Sequence, residues 1–189
     1  MKNFFLFFSV LFVTAFSFAQ APSLPLDFES LTANYTFTNF DGGATVKIAN
    51  TQIAGINTSA NVARMIKSAG ATWGGSWIQL DVPIDFSVNK TFKVKVYSPR
   101  IGAKLLLKVE NATNPAISYE KEATTTVANT WEDLSFDYST ISTSNQYQKL
   151  VFIFDNGTMG DGTANFTFLF DDVRLISSTP ATLTQMNLP

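Results

Sequence analysis

Carboxylates carry most of the reactive chemistry this sequence can offer, because it contains neither histidine nor cysteine. Without histidine there is no Ser-His or Cys-His nucleophile pair, no imidazole base and none of the usual zinc ligand sets. Acid pairs alone would have to work as glycosidases do, with two carboxyl groups roughly 5 to 10 Å apart across a cleft and one held protonated. Glu110, Glu120, Glu122 and Glu132 are available for this. Glu120-Lys121-Glu122 and Glu132-Asp133 read instead as solvated strand-edge charges, and no Glu-x-Asp-x-x-Glu run occurs. Catalysis is therefore not expected.

Recognition is the other chemistry open to such residues. Sugars are held by flat aromatic rings against their C–H faces and by side chains that hydrogen-bond hydroxyls. Trp77 alternates with Ile78 and Leu80, so Trp77 and Gln79 are expected to project away from the core. The same parity brings out Tyr97, Lys108 and Glu110 on their own strands. If those strands neighbour one another in one sheet, these five side chains form a shallow patch. Trp73, in a Gly-rich loop, would line one end of it. Each has a plainer reading: Trp73 as a plug of the fold's end, Lys108 with Glu110 as a surface ion pair. Trp131, followed by Leu134 and Phe136, reads as a packing residue.

The elements that must position these groups are strands. Short runs rich in Val, Ile, Phe, Tyr and Thr alternate with Gly, Pro, Asn and Ser from Asp27 to Ile176, with no amphipathic helix. Phe92, Val94 and Val96 alternate with Lys93, Lys95 and Tyr97; Leu105, Leu107 and Val109 alternate with Leu106, Lys108 and Glu110. Further runs are predicted at 35–40, 44–49, 61–67, 76–81, 116–123, 131–137, 149–155 and 165–176. Breaker clusters such as Asp41-Gly42-Gly43, Ser98-Pro99 and Asn114-Pro115 separate them. About ten strands at this spacing predict an all-β antiparallel β-sandwich of the jelly-roll type.

Lys2 followed by the apolar run from Phe4 to Phe18 has the layout of a secretory signal peptide, expected to be cut after Ala19. The run is too short for a spanning helix, which needs about 20 apolar residues. A secreted, extracellular or cell-surface protein with no membrane partner is expected. Residues 20–176 fit one domain, and 177–189 read as a linker. Leu188-Pro189 echoes Leu24-Pro25, as if another repeat began there and further domains of a longer chain followed. Formal net charge is −2 with no basic cluster, so nucleic acid is not an expected partner.

Leu24-Pro25-Leu26-Asp27-Phe28-Glu29 near the start and Phe170-Asp171-Asp172-Val173 near the end bracket the domain. With Trp73-Gly74-Gly75, Lys93 to Pro99 and Leu107 to Asn111 between them, the chain resembles the carbohydrate-binding-module-like jelly-roll domains, galactose-binding-like sandwiches, of secreted and often tandem-repeat bacterial proteins. That resemblance implies a polysaccharide or oligosaccharide partner and a structural calcium between first and last strands, held by Glu29 and Asp171. Calcium takes hard oxygen ligands in a flexible shell, so the residue types suit it. By strand parity Asp171 is expected to share a face with Leu169, Val173 and Leu175, where an unpaired charge would be costly; Asp172 is the second choice. Both acids also have the plain reading of strand-end carboxylates. The rival to a sugar binder is a ligand-free structural or adhesive spacer, which fold alone does not separate from it.

Overall fold

The computed structural model describes residues 20–177. The expected signal peptide and nearly all of the expected linker lie outside the described residues. Ten strands are present: β1 (Thr38–Phe40), β2 (Gly43–Ala49), β3 (Asn61–Lys67), β4 (Gly75–Gln79), β5 (Thr91–Tyr97), β6 (Lys104–Glu110), β7 (Ser118–Thr124), β8 (Trp131–Asp137), β9 (Lys149–Phe154) and β10 (Thr167–Ile176). A single 3-10 turn, Ala164–Phe166, precedes β10, and no α-helix occurs among the described residues. The strands form two five-stranded sheets, a front sheet ordered β1-β4-β9-β6-β7 and a back sheet ordered β2-β3-β10-β5-β8. Every strand pairing is antiparallel, as expected of a sandwich.

Alternation along each strand sends every second side chain into the space between the sheets. From the front sheet come Ile78, Leu105, Leu107, Val109, Phe152 and Phe154; from the back, Met65, Val94, Val96, Phe168 and Phe170, all buried. Phe152 and Phe170 meet across the layers with ring centroids 4.6 Å apart, and Phe154 stacks on Phe168 at 4.9 Å. Aromatic pairs at this distance add to the burial of their area. The segment before β1 closes one edge: Leu26 and Val173 exchange two backbone hydrogen bonds of 2.9 and 3.1 Å, and Phe28 packs edge-on against Phe170.

One inward position is occupied by a charge. Lys67 continues the buried series Ala63, Met65 and is fully enclosed, and its Nζ donates to the carbonyl oxygens of Thr72, Phe154 and Asp155 at 2.7, 2.9 and 3.0 Å. A buried ammonium thus ties the loop ahead of β4 to the end of β9. Burial pushes its pKa down to about 8, the Asp155 carboxylate opposing this and Arg100 assisting it. Between that value and the ordinary one of 10.5 the unfolded chain holds a proton that the folded chain has released, so this group makes stability rise with pH. In urea titrations at pH 7 to 10, wild type is expected to gain stability relative to Lys67→Met as pH rises; parallel curves would refute the shift. Phe170→Ala is expected to cost about 3–5 kcal/mol in the same assay, as deletion of a ring at the centre of a packed core does.

Candidate functional site

Cross-strand register arranges the outward residues of the front sheet in rows. Thr38, Trp77, Val151, Lys108 and Glu120 form one row across all five strands. Gln79, Lys149, Glu110 and Ser118 form the next. Strand spacing of about 4.8 Å sets Trp77 and Lys108 about 10 Å apart, with Val151 between them. Trp77, Gln79, Lys108 and Glu110 therefore do share one face, as parity predicts. Trp77 is half-buried, with the Lys149 ammonium 4.7 Å from its ring centroid, and Lys108 pairs with Glu110 at 2.9 Å.

A third row is apolar. Gly75 sits between Phe40 and Ile153, and a Cβ there would come within 2.9 Å of both side chains and 2.5 Å of the Phe152 carbonyl oxygen. The missing side chain lets the two apolar groups close over the strand. The row continues through Leu106 to Glu122, whose pKa is lowered because hydrogen bonds from Asn156 and Lys104 outweigh burial. Trp73 stands at the end of the sheet, 58% exposed, its Nε1 donating to Asp41 Oδ2 at 3.0 Å. Its loop lies flat on Asp41: a Cβ at Gly74 would lie 2.2 Å from the Asp41 carbonyl oxygen. Phe40 and Lys149 join this face without having been legible in the sequence, since only strand order makes β1 and β9 the neighbours of β4.

Tyr97 is a correction. Its strand, β5, lies in the back sheet, so Tyr97 projects from the opposite side of the molecule and does not extend the Trp77 patch. Parity gives the outward direction correctly but does not say which sheet a strand joins. Tyr97 packs instead on Trp131, with centroids 5.7 Å apart, in a small outer cluster with Val62 and Leu169. Trp131 is 5% exposed and donates Nε1 to the Gln52 carbonyl oxygen at 2.6 Å, in line with its reading as a packing residue.

The two expected metal ligands each border the 57–61 segment, Glu29 through Asn61 and Asp171 beside Asn57 and Ser59. Four residues of β10, Asp171 to Arg174, lie against three of β5, Lys95 to Lys93, a bulge with Asp172 at φ 48°. The extra residue reverses the parity beyond it. Asp171 stays with Leu169 on the outer side, but Val173 and Leu175 turn to the core, correcting the face inferred from simple alternation. Asp172 likewise leaves the face of Phe170 and pairs with Lys95 and Arg174 at 3.2 and 2.7 Å. Asp171 is nevertheless fully buried: Oδ1 accepts the Asp172 amide at 2.7 Å, while Oδ2 has no hydrogen-bond partner. Burial raises its pKa, with nearby Ser59 and Asn57 only partly opposing. The buried Asn57 Nδ2 is also unpartnered.

Glu29 reaches the same 57–61 segment and accepts the Asn61 backbone amide at 2.8 Å and Asn61 Nδ2 at 2.9 Å. Burial raises its pKa, but these hydrogen bonds and Lys47 together carry it below the ordinary value. Each Glu29 oxygen keeps a lone pair, so a hard cation facing the orphaned Asp171 oxygen fits the donor types here. No group of three or more carboxylates is placed to hold a metal ion among the described residues, so such a cation would also need amide or carbonyl oxygens.

No protein-family model matches the sequence, and no curated protein matches it. Solved structures do share its shape. The family 11 carbohydrate-binding module of the cellulosomal cellulase Lic26A-Cel5E of Clostridium thermocellum superposes with a TM-score of 0.59 at 14% identity, covering 87% of this chain and 99% of that one. A family 11 module from the same organism in complex with a β-1,3-1,4-mixed-linked tetrasaccharide gives 0.56 at 13% identity, covering 80% and 92%. The K2 cleaved adhesin domain of Lys-gingipain gives 0.52 at 15% identity, covering 79% and 95%. Two five-stranded antiparallel sheets, the bridged first and last segments and these superpositions together identify the fold as the β-sandwich jelly roll that carbohydrate-binding modules share.

Proposed function

We propose that this is a non-catalytic, secreted carbohydrate-binding module that takes a neutral glycan chain along its front sheet. The arrangement that carries the reading is one outward face on which a half-buried, outward-pointing indole, Trp77, is followed within about 10 Å by the Lys108–Glu110 pair. Gln79 and Lys149 stand in the adjoining row, and Trp73 rims one end. A ring to stack on and amides, ammonium groups and a carboxylate to meet hydroxyls are what a sugar needs. The similarity in shape to modules of family 11, one of them solved with a tetrasaccharide, points the same way.

A hydrolytic role has less support. A general acid needs a carboxyl whose pKa is raised in a cleft. Glu122 is lowered, Glu110 is ion-paired, and Glu132 accepts from Thr126 and Val127. Asp171 is raised, but it is sealed under the 57–61 segment. The adhesive or spacer reading has one specific observation in its favour: Lys149 over Trp77 and Lys108 against Glu110 already satisfy one another. The adhesin domain of the same shape belongs to that class by its description.

Affinity electrophoresis through gels containing mixed-linked glucan, xylan, mannan or agarose separates these readings. Retardation by at least one polymer is expected, with Trp77→Ala weakening it about tenfold or more and Ser135→Ala, exposed on the back sheet, migrating as wild type. Free migration in every gel would leave the spacer reading standing.

The same proposal includes a structural calcium held by Glu29 and Asp171. Binding only to the folded chain, calcium at about a hundred times its Kd adds about 2.7 kcal/mol. Thermal unfolding should shift upward from chelator to calcium in wild type and not in Asp171→Asn. In chelator the variant should be the more stable, because its buried position no longer carries a charge. For the raised Asp171 carboxyl, the folded chain holds its proton longer than the unfolded one, so chelated wild type should lose stability on this account as pH rises above 3.8. Identical calcium shifts in both proteins would exclude Asp171 as a ligand.

A further inference from the structure

The outer face of the back sheet holds a charge that the fold leaves unanswered. Val46, Arg64, Leu169, Tyr97 and Trp131 form one row across its five strands, each in register with the next. The sequence contains three arginines. Arg100 pairs with Asp155, and Arg174 with Asp172 and Asp133 at 2.7 and 2.8 Å. The Arg64 side chain makes no ion pair and no hydrogen bond among the described residues, and its Nε is buried without an acceptor. Asp171, two residues along β10 from the Leu169 that faces Arg64, forms no ion pair with it, and beyond it Asp133 is engaged by Arg174 and Asp172 by Arg174 and Lys95. A guanidinium desolvated on one edge and given no counter-charge is unfavourable in the free protein and predisposed to an incoming anion.

The surroundings define what anion. Arg64 lies in a groove of about 340 Å³ whose lining includes Ile48, Gln52, Tyr97, Asn129 and Leu169. The half-buried Tyr97 ring lines the same groove on the far side of Leu169 from Arg64, offering an apolar surface within one sugar's reach of the guanidinium. The side-chain amides of Gln52 and Asn129 make no hydrogen bond among the described residues, although the Gln52 carbonyl is taken by Trp131. An apolar ring, two unspent amides and a free planar fork of donors together match a pyranose carrying a carboxylate: the ring against Tyr97, hydroxyls to the amides, and both carboxylate oxygens on Arg64.

We propose that this groove is a second binding site, distinct from the front face, for uronate-bearing oligosaccharides. It stands or falls separately from the front-sheet reading, because no residue is common to both faces. Isothermal titration of the full chain with trigalacturonate tests it. Binding is expected in low salt, weakening as salt rises, with Arg64→Gln lowering affinity about tenfold or more and Trp77→Ala leaving it unchanged. The fully methyl-esterified trisaccharide, which keeps the ring and loses the charge without altering the protein, should not bind. Equal affinity for the methyl ester, an unaltered Arg64→Gln protein, or loss of binding in Trp77→Ala would overturn the proposal. Tighter binding of a sulfated galactan trisaccharide would overturn the assignment to carboxylate. Arg64→Gln is checked by its thermal midpoint, and Tyr97→Ala gives an independent variant expected to lose the same ligand.

Discussion

Everything about this molecule follows from the burial of one face of each sheet against the other. Because side chains alternate along a strand, the Phe152, Phe154, Phe168 and Phe170 rings that fill the space between the sheets force their neighbours outward. Trp77 on one side and Tyr97 on the other point outward for the same reason that these phenylalanines point in. With no cysteine in the chain, no disulfide shares this load, and the outward residues of the two faces can vary without disturbing what holds them in place.

The alternation also explains what the sequence made legible. All ten strands appear where apolar periodicity and breaker clusters place them, most within a residue or two, because each reads as a local pattern. Trp77, Gln79, Lys108 and Glu110 come out on one face because three strands, β4, β9 and β6, happen to be adjacent. Tyr97 obeys the same parity and ends on the far side, since sheet membership depends on crossovers between strands distant in sequence. Lys149 and Phe40 belong to the front face only through that topology. Nothing in the 61–67 run singles out Arg64, because its side chain's lack of a partner is a property of the assembled back sheet.

The bulge in β10 shows how one residue changes the chemistry of a site. Without the extra residue at Asp172, Val173 would not turn inward to meet Leu26, and the leading segment would lose its backbone anchor. With it, Asp171 is left at the junction with one carboxylate oxygen orphaned and Glu29 bound to the neighbouring Asn61. A carboxylate in that position is unfavourable without a partner, and a hard cation is a partner its surroundings can accept. Local alternation could place Asp171 near a domain edge but could not foresee the reversal that brings it there.

The central claim is that the front sheet is the face that meets neutral glycan. Amide and indole chemical-shift mapping, with the protein titrated with soluble oligosaccharides from mixed-linked glucan, xylan and agarose, tests this most directly. The account predicts progressive shifts at the Trp77 indole and along β4, β9 and β6 with at least one of these ligands, while β2, β3 and β5 stay unmoved. Shifts confined to the back sheet, or none with any ligand at millimolar concentration, would contradict it.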